Sequence, residues 1–230
     1  MRKENITEGC ILDSRFSYMM NNMKKKFFVL GAIVLLLALS ATGVFAKHNF
    51  SKEENDFFDT AKKIKNDKTV VAIVDNEKIY KYQIDFIKAS QRLSQKNAEL
   101  SGIDASEITV QSDEEILQQL IRNTVIVQEA KRQKKEAKYN DAKKYIKTNY
   151  DKIMADNDSN SEFLRKYMSE LGLSENEYIK LASQGYQDTM TRENFYNDFA
   201  HKNSETTENI QELYEQYVLQ LLDGADVQYK

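Results

Sequence analysis

The sequence predicts a mainly helical fold, and three observations support that prediction. The 230-residue chain contains no proline and only seven glycines, so it has few of the residues that form tight turns. Apolar residues recur at helical spacing along most of the chain behind the apolar N-terminal segment. Three serines each stand three residues before a glutamate, which is the spacing of a helix capping box; the pairs are Ser51–Glu54, Ser112–Glu115 and Ser174–Glu177.

The N-terminal part of the chain predicts export. Residues 27–46 carry no charge and directly follow three lysines at positions 24–26. A basic cluster before an apolar run is typical of a secretory signal, and this run is also long enough to span a membrane as a helix. Val44-x-Ala46 resembles a signal-peptidase site. A signal cleaved after Ala46 and a retained anchor both stay open, and either places the rest of the chain outside the cytoplasmic membrane, secreted or held at its outer face.

This interpretation divides the chain into three segments. Residues 1–46 form an N-terminal extension with the signal or anchor, residues 47–68 a linker and first helix, and residues 69–230 the main domain. Both Met1 and Met23 are possible first residues, since Met23 directly precedes the lysines. Without residues 1–46 the chain keeps 184 residues, enough for one sizeable core or two small ones.

Composition excludes several function classes. Residues 47–230 carry 27 basic and 33 acidic side chains, and these alternate along the chain, which argues against a nucleic-acid surface. The single cysteine, Cys10, lies in the N-terminal extension, and His48 and His201 have no second histidine or cysteine at ligand spacing. No glycine-rich phosphate loop is present. We therefore expect no cofactor, no metal, no small-molecule substrate and no catalytic residue.

The first half of the exported chain predicts two helices around a hairpin. Residues 51–66 have a narrow apolar stripe behind the Ser51 cap. Residues 69–80 combine a β-branched apolar run, a turn at Asp75-Asn76 and a second short strand. Residues 82–100 return to helical spacing and end near Gly102.

The second half predicts a bundle of helices. A central helix begins at Ser112, and its broad apolar face indicates packing on two sides. The charged run at residues 131–138 is expected to be its solvated end. Shorter helices follow at residues 141–155 and 162–171, and Gly172 is expected to be a left-handed cap.

A long helix and a short strand complete the predicted elements. The helix follows Ser174 and carries one expected apolar stripe, through Ile179, Ala182, Tyr186, Met190, Tyr196 and Ala200. A last helix at residues 207–222 leads to an extended end at residues 226–229.

The order of these elements resembles the SurA N-terminal domain family, which periplasmic SurA shares with Gram-positive PrsA-type foldases. VAIVDNEKIY at residues 71–80 is similar to the family's opening V-A-x-V-N-G-x-x-I, with Asp75-Asn76 in place of Asn-Gly. Residues 115–131, which end in Q-E-A-K, are similar to its central helix, and residues 214–229 to its closing helix and strand. The resemblance, over residues 69–229, implies a multi-helix chaperone domain in which the C-terminal strand pairs with the opening one.

The resemblance also implies a function. In this family the helical domain holds unfolded or partly folded secreted proteins, and PrsA-type members insert a parvulin prolyl-isomerase domain before the closing helix. Only a few polar residues separate Ala200 from Thr207, so that insertion has no place in this chain. We expect a chaperone-like protein, not an enzyme, whose partners are unfolded or nascent exported proteins and, through an uncleaved segment 27–46, the membrane.

Aromatic and methionine side chains suit a surface that accepts varied apolar segments. The predicted client-facing residues are Tyr167, Tyr178, Tyr186, Tyr196 and Phe199, each of which has the core as its alternative. Two other functions stay open: an envelope-located module that binds one specific partner, and, less favoured, an isomerase-type foldase.

Overall fold

The computed structural model describes residues 52–63, 67–100, 108–156, 158–203 and 209–230, and these form a mainly helical fold with one small sheet, as the sequence predicts. The helices are α1 (Lys52–Lys63), α2 (Lys81–Leu100), α3 (Asp113–Arg132), α4 (Tyr139–Asp156), α5 (Ser159–Leu171), α6 (Glu175–Asn203) and α7 (Ile210–Gly224), and the strands are β1 (Val70–Val74), β2 (Glu77–Tyr80) and β3 (Val227–Tyr229).

Part of the sequence interpretation lies outside the described residues. This holds for the signal or anchor at residues 27–46, for the Ser51 cap and for the helix end near Gly102. Among the helices that are described, none combines the length and the apolar character needed to cross a membrane.

The sheet confirms the predicted return of the C-terminal strand. Its order is β2-β1-β3, and both pairings are antiparallel. A two-residue turn joins β1 to β2 at Asp75-Asn76, as predicted, and its left-handed residue is Asp75, at φ 51°. The Asp75 amide donates to the Asp226 carbonyl at 2.8 Å, and the Asp226 amide donates to Oδ1 of Asp75 at 3.0 Å. The hairpin turn is thereby bonded to the residue that directly precedes β3.

Two predicted helix starts and one helix end are confirmed. The Ser112 amide donates to Glu115 Oε2 at 2.8 Å and the Glu115 amide to Ser112 Oγ at 3.2 Å, so both halves of the capping box form. The same exchange between Ser174 and Glu177 begins α6. Gly172 ends α5 with a left-handed φ of 58°. These short polar signals therefore determine where three helix ends lie.

The charged run after α3 differs from its prediction. The helix ends at Arg132, and Lys134 adopts a left-handed φ of 58°, so residues 133–138 are a turn and link rather than a solvated helix end. This link is fastened to α6: Lys135 Nζ contacts Asp198 Oδ1 at 2.6 Å, and the amide of buried Ala137 donates to Thr191 Oγ1 at 3.0 Å. Without glycine or proline, the sequence carries no local sign of this turn.

Three clusters of buried side chains form the core. The helical core joins α1, α4, α5, the first half of α6 and part of α2. The sheet core lies between the strands, α2 and α3. The C-terminal core joins α3, the second half of α6 and α7, and consists of Ile126, Ala130, Phe195, Tyr214 and Val218. α3 contributes to two of these cores, as its broad apolar face predicts.

Helix α6 changes the core that it packs against along its length. Tyr186 belongs to the helical core and Phe195 to the C-terminal core. Nine residues separate them, which at about 100° per residue places the two side chains on opposite sides of the helix. The predicted single stripe is therefore wrong beyond Met190, because it continued the first face through Tyr196 and Ala200. The side of α6 that is buried in its first half emerges toward solvent in its second half.

Two glycines give a matched pair of stability predictions. Gly185 lies inside α6, and an added Cβ would meet no atom within 4 Å. Gly185→Ala is therefore expected to raise the free energy of unfolding by about 0.5–1 kcal/mol. Gly172→Ala, at the left-handed cap, is expected to lower it by about 1 kcal/mol. Urea unfolding followed by circular dichroism measures both, and destabilisation by Gly185→Ala would show that α6 needs this glycine for another reason.

Candidate functional site

The structure separates the five predicted client-facing residues into two groups. Tyr167, Tyr178 and Tyr186 are 3%, 1% and 7% exposed and lie in the helical core, where α4, α5 and α6 meet. Burial raises the pKa of all three hydroxyls. For these three side chains the structure therefore shows the core position that the sequence left open as the alternative. Tyr196 and Phe199 are half-buried at the edge of the C-terminal core.

Tyr196 and Phe199 are joined by two tyrosines of α7, and the four side chains form what we term the aromatic surface: Tyr196, Phe199, Tyr214 and Tyr217. The ring centroids of Tyr196 and Tyr214 lie 5.0 Å apart in an edge-to-face arrangement. Phe199 contacts Tyr214 edge-to-face at 5.3 Å and stacks on Tyr217 at 5.4 Å. Edge-to-face and offset contacts of this kind are the favoured geometries for aromatic pairs.

The aromatic surface has a buried base and an accessible upper layer. Tyr214 is 5% exposed, and burial raises its pKa to about 12. Phe195 supports it from α6 at 6.3 Å. Tyr196, Phe199 and Tyr217 are half-buried, so each presents part of a ring to solvent. Tyr214 and Tyr217 were not predicted as site residues, although their three-residue spacing places them on one helix face.

A buried carboxylate holds Tyr217 in place. Glu129 of α3 is 7% exposed, and its Oε1 accepts the Tyr217 hydroxyl at 2.9 Å. Arg132 donates to both carboxylate oxygens at 2.6 Å, and Gln133 Nε2 donates to Oε1 at 2.6 Å. The Arg132 hydrogen bonds hold the pKa of Glu129 below its ordinary value, so Glu129 is ionised at neutral pH. Helix α3 thus orients one exposed ring of the aromatic surface.

A charged group of α6, Arg192, lies near the base of the aromatic surface and acts electrostatically on Tyr214. Arg192 Nη1 donates to Asn123 Oδ1 of α3 at 2.7 Å, and Nη2 donates to Thr189 Oγ1 at 3.1 Å. Desolvation lowers the pKa of Arg192 and raises those of Asp188 and Glu193. These three groups are thus partly withdrawn from water.

A concavity lies between α1 and α2. Its volume is about 450 Å³, and its lining is mostly charged: Glu53, Asp56, Asp59, Thr60, Lys63, Asp85, Lys88, Ala89 and Arg92. Within the described residues, no group of three His, Cys, Asp or Glu side chains could hold a metal ion. A charged lining suits the capture of apolar segments less well than the aromatic surface does.

Comparison with known proteins gives evidence that is independent of this geometry. The model of the SurA-like N-terminal domain family matches residues 19–193, which is more than half of the chain. The match contains the hairpin and the central helix on which the resemblance rests, and it ends within α6, before the closing helix and strand. No curated protein and no solved structure gives a significant match. This chain belongs to the SurA-like N-terminal domain family.

Proposed function

We propose that this protein binds unfolded or partly folded exported polypeptides outside the cytoplasmic membrane, as a chaperone-like protein that performs no catalysis. The observation that carries the proposal is the aromatic surface, where Tyr196, Phe199 and Tyr217 present half-exposed rings above a buried base. Membership of a chaperone-type family supports it from a second side.

The physical chemistry of the surface fits clients of varied sequence. Aromatic rings offer large apolar contact areas, and a ring already held by its neighbours loses little conformational freedom when a client binds. Tyr217 is anchored by Glu129, and Phe199 is stacked on Tyr217. Contacts with ring faces need no particular hydrogen-bond pattern in the partner, so they tolerate many apolar sequences.

The proposed location rests on the apolar segment at residues 27–46. As a cleaved signal or a retained anchor, this segment would deliver the domain to the side of the membrane where exported chains emerge unfolded. The mass of the mature N-terminus, measured by mass spectrometry, distinguishes these two forms.

Suppression of aggregation tests the proposal. The double variant Tyr196→Ser with Phe199→Ser is expected to prevent aggregation of a denatured client only at a concentration about tenfold or more above that of wild type. Each lost ring contact is worth about 0.7 kcal/mol or more, and about 1.4 kcal/mol corresponds to a factor of ten. Light scattering during dilution of the client from denaturant gives the measurement.

The matched control removes the same number of apolar side chains elsewhere. Leu181 and Leu219 are 43% and 56% exposed on α6 and α7 and lie outside the aromatic surface. The combination Leu181→Ser with Leu219→Ser is expected to suppress aggregation as wild type does. Equal potency of all three proteins would contradict the proposal, and crosslinking of one stoichiometric partner in place of many exported chains would favour the specific module.

A further inference from the structure

Glu193 stands on the side of α6 that emerges from the helical core. It lies one turn from Met190 on one side and from Tyr196 on the other, both half-buried. Tyr186, two turns earlier, shares this side of the helix and interacts electrostatically with Glu193. Tyr145 of α4 stacks on Tyr186, with ring centroids 4.4 Å apart, and is 42% exposed. Helix spacing therefore places this carboxylate between a methionine and a ring of the aromatic surface, one turn from each.

Glu193 is a half-buried carboxylate on α6. Within the described part of the chain, the charged group that acts on it is Arg192. The Arg192 guanidinium donates to Asn123 and to Thr189. Desolvation is the larger influence on Glu193 and raises its pKa. An ionised carboxylate with weakened hydration gains more from an incoming cation than an exposed carboxylate does.

We propose that Glu193 and its neighbouring rings receive a lysine or arginine side chain of a bound polypeptide, next to the apolar residues that contact the aromatic surface. The cationic end lies at the carboxylate, beside the half-buried ring of Tyr196, and aromatic rings attract cations. The methylene stem lies along Met190 and Tyr196, as long basic side chains do on apolar surfaces. This inference rests on the proposed function and deepens it, because it defines the client segment as apolar with an adjacent basic residue.

The competing account is that Glu193 only balances the charge of Arg192 inside the fold. That account predicts that neutralising Glu193 disturbs the protein without changing what it prefers to bind. The two accounts therefore differ in selectivity between clients, not in overall affinity.

Paired peptides measure that selectivity. Two short labelled peptides of leucine and serine differ at one central position, which is lysine in one and glutamine in the other, and fluorescence anisotropy gives their affinities for the full 230-residue chain. Wild type is expected to bind the lysine peptide about threefold more tightly or better. Glu193→Gln is expected to bind the two peptides equally and to keep its affinity for the glutamine peptide, and Glu193→Asp to retain part of the preference.

The control is Glu77→Gln, an equal change of net charge at an exposed position of β2, which is expected to keep the full preference. Equal binding of both peptides by wild type, or a preference that survives Glu193→Gln, overturns the inference and leaves the proposed function standing. Binding of neither peptide by wild type overturns the proposed function itself.

Discussion

Replacement of Phe57 by alanine is expected to lower the free energy of unfolding by about 3–5 kcal/mol, the range for a large aromatic residue removed from a packed core. Phe57 is 2% exposed and lies at the centre of an aromatic cluster. Its ring centroid is 5.1 Å from Phe86 of α2 and 5.8 Å from Phe163 of α5. The substitution leaves a cavity at the point where three helices meet, and these helices cannot close it without moving apart elsewhere.

Urea unfolding of Phe57→Ala, followed by circular dichroism, gives this free energy directly. Leu181→Ala, an exposed position of α6, serves as the control and is expected to change it by less than about 0.5 kcal/mol. A Phe57→Ala protein within 1 kcal/mol of wild type, by the scale of surface changes, would contradict the packing of α1. The predicted segment 47–68 contains this helix, so a fragment of residues 69–230 would lose the three core side chains of α1, namely Phe57, Phe58 and Ala61.

Replacement of Glu129 by glutamine is expected to cost about 1–3 kcal/mol at neutral pH, because a buried acceptor of charge-assisted hydrogen bonds is lost. Glu129 receives donors from Arg132, Gln133 and Tyr217. A neutral amide has one acceptor oxygen in place of two, and it turns an NH₂ group toward donors. The 74% exposure of the Arg132 side chain keeps the salt-bridge share of this effect small.

The pH dependence distinguishes this mechanism from simple packing loss. The folded-state pKa of Glu129 lies below the ordinary value of 4.5, so the stabilisation is fully present above pH 4.5 and is lost as the pH falls through the lower folded value. The difference in unfolding free energy between wild type and Glu129→Gln should therefore shrink below pH 4.5. Glu170→Gln, which removes a surface pair with Lys62, is the control and is expected to cost less than about 1 kcal/mol. A difference that stays constant across this pH range would show that the charge of Glu129 contributes nothing.

Features that depend on neighbouring residues were predictable from the sequence. The Ser112 and Ser174 caps, the Gly172 turn and the strand–turn–strand at residues 70–80 are each specified within a few residues. The turn at Lys134 was not predictable, because a lysine at positive φ is held there by contacts of the following residues with α6 rather than by its own preference.

Features that depend on which elements face each other were only partly predictable. Tyr196 and Phe199 were identified as surface candidates, whereas Tyr214 and Tyr217 of the same cluster were missed, because nothing local shows that α7 packs beside the second half of α6. A periodic pattern also assumes a single packing partner. Because α6 has two, Phe195 is buried although it lies off the predicted stripe.

The pairing of β3 with β1 determines how late in synthesis the sheet of this domain can be completed. Asp75 and Asp226, which bond to each other, are 151 positions apart in the chain. Synthesis proceeds from the N-terminus, so one edge of β1 stays unpaired while nearly all the helices are made. Exposed strand edges recruit other extended chains. Until β3 has been synthesised, this protein is itself an incompletely folded chain of the kind that we propose it binds.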